Sequence, residues 1–173
     1  MKNTVKIAFC GIISAIVCAF MALSVIPNIT FAIPAIAGLF LISVLAETGY
    51  LWALSVYFVS AVISFFTANK TSWVLFVCLF GYYPILKPVI ERIKKPVAEW
   101  IAKILLFNFV AAVCYIAGLL VLNFKMHLWI IIALLIVGNI AFLLYDISVS
   151  KIAAAYYLSL HKRISDIVRF NKK

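Results

Sequence analysis

The chain has 173 residues, of which 68% are hydrophobic and only 12% charged, with a mean hydropathy of +1.22 and a formal net charge of +10. Soluble domains hold roughly 45–50% apolar and about 25% charged residues, so an ordinary water-soluble domain is excluded. The apolar residues come in long uninterrupted runs, which define a polytopic, all-α membrane protein. The positive charge does not imply nucleic acid. The cations stand at the ends of apolar runs, where the positive-inside bias and anionic lipid head groups account for them, and no soluble module remains to hold a nucleic acid. Cys10, Cys18, Cys78 and Cys114 lie inside apolar runs without CxxC spacing, so they read as small buried hydrophobes and not as a disulfide or metal framework.

The first predicted helix covers about Val5 to Ile26 and stops at Pro27. Lys2 and Lys6 followed by an apolar run give it the look of a signal peptide, but the run reaches spanning length and is read as a helix that stays. It carries Gly11, Ala15 and Ala19 at four-residue spacing. Small residues so spaced let a second backbone approach closely, which is how helices associate in lipid. They serve either packing within this chain or docking of a partner subunit.

Asn28 to Phe31 form a short outer loop, and a second helix runs from about Ala32 to Ala46, with Pro34 tolerated in its first turn. This helix is short for a span, hence steeply embedded or partly broken. Glu47, Thr48 and Gly49 make a tight inner turn, and the third helix covers about Tyr50 to Ala68. Asn69 to Ser72 read as the second outer loop. The fourth helix runs from Trp73 to about Leu86, with a kink expected at Gly81-Tyr82-Tyr83-Pro84.

The stretch Leu86–Lys103, LKPVIERIKKPVAEWIAK, holds Lys87, Arg92, Lys94, Lys95 and Lys103 between two apolar blocks. So basic an inter-helix segment belongs on the cytoplasmic side, with 97–103 forming an interfacial turn. The fifth helix covers about Ile104 to Leu122, and the sixth about Leu128 to Ile147 after an outer loop from Asn123 to His127. From Ser148 onward, Ile152, Tyr156, Leu160, Ile164 and Ile167 alternate with basic residues, the pattern of an amphipathic helix lying on the membrane surface. The expectation is therefore a six-helix transmembrane domain over 1–148 and a basic tail over 149–173. With both termini cytoplasmic, only Lys70 and Lys125 of the 15 Lys and Arg fall outside, as the positive-inside rule requires of a cell-membrane protein.

No HExxH, phosphate loop or GxSxG occurs, and His127 and His161 fall on opposite sides of the membrane in this layout. No enzyme, cofactor or metal is expected. Glu47, Lys87 and Asp146 come out near the inner interface and read as an ion-paired lock between helices, because interfacial charges are cheap and no acid stands at the midplane. Asn108, Tyr115 and Asn139 lie deeper, to hydrogen-bond across helices or to line a cavity. Asn28, Thr30, Asn69, Trp73, Asn123, His127 and Trp129 gather at the outer loop ends, where they form either a pocket for a small organic ligand or an aromatic belt with polar loops.

Six helices in so short a chain, a basic N-terminus and the texture of KIAFCGIISAIVCAFMALSVIP and FAIPAIAGLFLISVLAETGYLWALSVYFVSAVISFF resemble the substrate-binding S component of energy-coupling factor vitamin transporters. In that family the first helix carries an AxxxA-type motif that docks on a transmembrane coupling subunit. Gly11, Ala15 and Ala19 occupy the matching positions, with glycine in place of the first alanine. The resemblance implies a non-catalytic micronutrient-binding subunit, surrounded by membrane lipids and driven by a coupling subunit with two ATPases. Its substrate would sit near Asn28, Thr30, Asn69, Trp73, Tyr115, Asn123, His127 and Trp129. The basic tail departs from that pattern. FGYYPILKPVIERIKK and the tail are also similar to small membrane proteins of low-GC Gram-positive bacteria. A related layout in the membrane subunit of rod-shape-determining complexes supplies the alternative, a structural or assembly protein that organises cell-envelope partners.

Overall fold

The computed structural model describes residues 3–93, 95–122 and 127–158. These form seven α-helices: α1 (Asn3–Leu23), α2 (Ala32–Thr48), α3 (Tyr50–Thr67), α4 (Lys70–Leu75), α5 (Tyr83–Ile90), α6 (Pro96–Leu122) and α7 (Leu128–Tyr156), with a π-helical turn at Phe76–Phe80 between α4 and α5. No strand occurs among the described residues. Five helical stretches are long and apolar enough to cross a membrane: Asn3–Leu23, Tyr50–Thr67, Lys70–Ile90, Pro96–Ile116 and Leu128–Tyr156. The chain is an all-helical membrane protein. In lipid every backbone polar group needs an internal partner, and a helix supplies one without help from neighbours.

The contacts divide the chain into two compact units, one within Met1–Leu86 and Val149–Lys173, the other Lys87–Ser148. In the first, α1 buries Cys10, Ile13, Ser14, Val17 and Met21, a spacing of three and four that lines one helix face. They meet Ile33, Ala37, Leu41 and Val44 of α2, Ala53, Val56, Tyr57 and Ala61 of α3, and Phe76. Because lipid tails are as apolar as leucine, this core is held by close packing and interhelical hydrogen bonds. Ser14 and Ser60 pair their hydroxyls at 3.2 Å across α1 and α3. Gly49 takes φ +94° and lets α2 reverse directly into α3; this left-handed conformation costs glycine no Cβ clash.

The expected kink near Gly81 takes a specific form. The helix widens into the π turn, and the Tyr57 hydroxyl donates to the Val77 carbonyl at 2.8 Å. A π turn leaves carbonyls without their usual partner, and a tyrosine from α3 supplies one. Residues 70–72, read from sequence as loop, are helical, because Asn69 caps α4 by accepting from the Thr71 amide at 3.0 Å.

In the second unit, α6 and α7 run antiparallel. Phe107 stacks on Phe142 with ring centroids 4.9 Å apart, and Gly138 leaves room for the Phe107 ring edge. Asn108 and Asn139 exchange side-chain amide bonds at 3.1 and 3.2 Å. Cross-helix hydrogen bonds of this kind are worth about 0.6 kcal/mol on average and up to about 1.7. Asn139→Leu is therefore expected to lower the unfolding free energy of the detergent-solubilised protein by that amount, and an unchanged unfolding midpoint would show the pair contributes nothing. Two boundaries differ from the sequence reading. α6 begins at Pro96, so Val97–Lys103 is helix and not an interfacial turn. α7 does not end at Ile147 but runs without a break to Tyr156; Ser148 and Ser150 interrupt the apolar run without breaking a helix, since Ser148 Oγ bonds back to the Leu144 carbonyl at 2.8 Å.

Candidate functional site

The stripe on α1 faces outward. Gly11, Ala15 and Ala19 are all exposed, while Cys10, Ser14 and Val17 of the same helix are buried. A Cβ built on Gly11 meets nothing within 4 Å. Beside Gly11, Ile7, Cys10 and Ser14 join Trp52, Ser55, Val56 and Val59 of α3 in lining a shallow groove of about 150 Å³.

The residues assigned to an outer pocket divide between the two units. In the first, Thr30, Asn69 and Trp73 bond to their own chain. Thr30 Oγ1 donates to the Ser24 carbonyl at 3.4 Å, and the Thr30 carbonyl accepts from Ser72 Oγ at 2.7 Å. The Asn69 amide donates to Ser24 Oγ at 3.0 Å. The Trp73 indole N–H donates to the Ala61 carbonyl at 2.8 Å, and its ring meets Phe65 edge-on at 5.0 Å. Asn28 is exposed with φ +76°, a left-handed turn position that asparagine tolerates. This network ties the loop after α1 to the start of α4. In the second unit, Tyr115 lines a cavity of about 160 Å³ with Phe107, Ala111, Ile131, Leu134 and Leu135, and His127 and Trp129 are exposed. Asn123 lies outside the described residues.

The most chemically distinctive cluster lies within the second unit. Lys87, Lys103 and Asp146 are only 3%, 2% and 3% exposed. Lys87 Nζ pairs with Asp146 Oδ1 and also donates to the Asp146 backbone carbonyl at 2.8 Å. Lys103 Nζ lies 3.3 Å from the other carboxylate oxygen. Glu91 closes the ring, with Oε1 at 3.4 Å from Lys87 and 3.3 Å from Lys103, and Glu99 adds a 2.7 Å contact to Lys103 from one turn earlier on α6. The Trp100 ring sits 5.2 Å from Lys103 Nζ, within cation–π range. Two buried ammonium groups are thus matched by three carboxylates on α5, α6, α7 and the α5–α6 connection.

The sequence reading grouped Glu47 with Lys87 and Asp146. The Lys87–Asp146 pair forms within the second unit; in the first, the Glu47 carboxylate accepts from the Tyr156 hydroxyl at 2.9 Å. Lys103, Glu91 and Glu99 were missed as partners because they stand in a stretch whose basic residues suggested a wet loop. The legible signal was their spacing: Lys87 and Glu91, like Glu99 and Lys103, are four apart, which pairs opposite charges on a helix. Among the described residues no group of three His, Cys, Asp or Glu side chains is arranged to hold a metal. No family model, curated protein or solved structure matches this chain.

Proposed function

We propose that this chain is a non-catalytic structural subunit of the cell membrane that assembles with a larger membrane protein through the bare face of α1. The observation that carries the reading is the two-sided character of that helix. One side is consumed by the fold, and on the other Gly11, Ala15 and Ala19 are exposed, a Cβ at Gly11 meeting nothing within 4 Å. Lipid-facing helices ordinarily carry bulky apolar side chains, as α1 itself does at Ile7 and Ile12. A strip of small residues exposes backbone for a second helix to approach, and close backbone contact is the main source of helix affinity in a bilayer. In this reading the chain crosses the membrane six times with both termini cytoplasmic, α2 being the short sixth crossing and Lys70 the outer cation of the described residues. The buried charge ring then serves as an internal staple.

A second reading, the substrate-binding subunit of a micronutrient importer, draws on the same exposed strip, which is where the resembling family docks its coupling subunit. It is the weaker of the two, because the Thr30 hydroxyl, the Asn69 side-chain oxygen and the Trp73 indole N–H all bond to the chain's own backbone. The test is affinity purification from native membranes in mild detergent, with Ala15→Trp beside the unaltered chain. The expected result is a cell-envelope partner that is lost with Ala15→Trp while the variant keeps its own unfolding midpoint. Two ATPases and a coupling subunit in its place would promote the importer reading, and a partner set indifferent to Ala15→Trp would overturn both.

A further inference from the structure

Between Lys6 and Glu47 the chain carries no charged side chain, and the middle of that stretch is not helix but the loop joining α1 to α2. Leu23, Val25, Ile26, Ile29 and Phe31 are exposed there, Val25 at 63% and Phe31 at 69%. Much of the loop's polar backbone, by contrast, is spent on the chain. The Ser24, Val25 and Ile26 amides close single turns onto Met21, Ala22 and Leu23, and Pro27 has no amide to place. The Thr30 hydroxyl donates back to the Ser24 and Ile26 carbonyls at 3.4 and 3.5 Å, and the Ser72 hydroxyl of α4 donates to the Thr30 carbonyl at 2.7 Å. Ser24 and Ser72 are fully buried, and the Asn69 amide holds Ser24 Oγ at 3.0 Å. A loop in water leaves its carbonyls to the solvent and keeps large apolar side chains inside. This one does the reverse.

Helix lengths lead to the same place. Thr48, at the end of α2, lies beside Cys10 of α1, with Oγ1 and Sγ 4.0 Å apart, so Lys6 and Glu47 mark one end of this antiparallel pair and the loop marks the other. From Lys6 to Leu23 the helix is about 26 Å long, and the 17 residues of α2 span about as much. A bilayer's hydrocarbon core is about 30 Å thick. With Lys6 and Glu47 at one boundary, both helices end short of the other, and any tilt shortens their reach further. We infer that the α1–α2 loop is a wedge in the bilayer, its apolar side chains among the upper acyl carbons of the leaflet at that end. Asn28, exposed at the tip in a left-handed turn, reaches the head groups. The partner of this surface is the lipid itself. Backbone outside a helix is tolerated at that depth only with partners inside the protein, which the Thr30 and Ser72 hydroxyls supply. A loop without charge also escapes the cost that an ionised side chain would meet there. The inference is independent of how the outer strip of α1 is used.

The experiment reconstitutes the full chain in phosphatidylcholine vesicles with two kinds of reporter. One is phosphatidylcholine bearing a photoreactive diazirine either near the glycerol end of an acyl chain or at its terminal methyl. The other is hydroxyl radical generated in the surrounding water. Labelled and oxidised residues are then mapped by mass spectrometry. The shallow diazirine is expected to label residues 23–31 more strongly than the terminal one. Oxidation of Phe31 should be about tenfold slower than in the chain unfolded in urea, because bulk water is absent at that depth. Phe31→Lys replaces a side chain that the fold leaves exposed, so the unfolding midpoint in micelles should hold. Shallow labelling of the loop should nevertheless fall about tenfold, since a charge resists the acyl layer, while Phe31→Leu keeps it. Phe31 oxidised as fast as in the unfolded chain, a loop labelled best from the chain ends, or labelling indifferent to Phe31→Lys overturns the inference.

Discussion

Asp146→Asn is expected to destabilise the protein by about 3–5 kcal/mol, the cost of removing one partner from a buried ion pair. Asp146 offers one carboxylate oxygen to Lys87 and the other to Lys103, and both ammonium groups are nearly inaccessible. With the carboxylate gone, two buried cations share Glu91 and Glu99, both of which lie closer to solvent. Glu91→Gln should cost much less, about 0–1 kcal/mol, since that side chain is 40% exposed and solvent screens its contribution. The informative comparison is the triple variant Lys87→Met, Lys103→Met, Asp146→Leu. Burying ions costs desolvation that their mutual attraction only partly offsets, so the apolar triple is expected to be more stable than Asp146→Asn alone. Denaturant unfolding in detergent micelles reads all three. A triple variant weaker than the single would mean the ring stabilises the fold outright, while a silent Asp146→Asn would mean the ring is not buried in the membrane protein at all.

Gly81→Ala should destabilise the protein by about 1–3 kcal/mol, the cost of overpacking a filled site. A Cβ at Gly81 falls 2.7 Å from the Phe76 carbonyl oxygen and 2.7 Å from the Tyr57 ring, both under van der Waals contact. Backbone cannot move aside cheaply, and the Tyr57 ring is held by its hydroxyl bond to Val77. The added methyl therefore strains the π turn and the bond that satisfies it together. Gly11→Ala is the matched control: nothing lies near its Cβ, and alanine favours helix over glycine by about 1 kcal/mol. The unfolding midpoint should fall for Gly81→Ala and hold or rise for Gly11→Ala. Equal behaviour of the two would sink the account of the π turn.

The helices were legible because their signal is local. Runs of apolar residues long enough to cross a bilayer must be helical, and Gly49 marks the turn between two of them by backbone chemistry that needs no neighbours. Helix α1 stops at Leu23, short of Pro27, and α6 starts at Pro96, ahead of the start read at Ile104. Misplaced boundaries occurred where a polar residue sits inside a helix for a reason elsewhere. Lys70 to Ser72 are helical because Asn69 caps them, and Ser148 continues α7 because its hydroxyl bonds back to the preceding turn.

Charge was the hardest property to place from sequence. The stretch from Leu86 to Lys103 carries five cations and reads as a cytoplasmic loop, yet Lys87 and Lys103 are among its most buried residues. Hydropathy assigns each lysine a fixed cost, whereas the actual cost depends on whether carboxylates from other segments arrive beside it. Asp146, more than forty positions from either lysine in the chain, is what makes their burial tolerable.

The sequence by itself determined that this is an all-helical membrane protein, where its long apolar runs lie, and that Gly11, Ala15 and Ala19 share one helix face. All of these follow from composition and from the 3.6-residue period. Only the tertiary structure decided that this face is exposed, that Trp73 and Thr30 bond to the chain itself, and that Glu47 bonds Tyr156. Each of these depends on which distant residue occupies the space opposite a side chain, and no local pattern of residues encodes that.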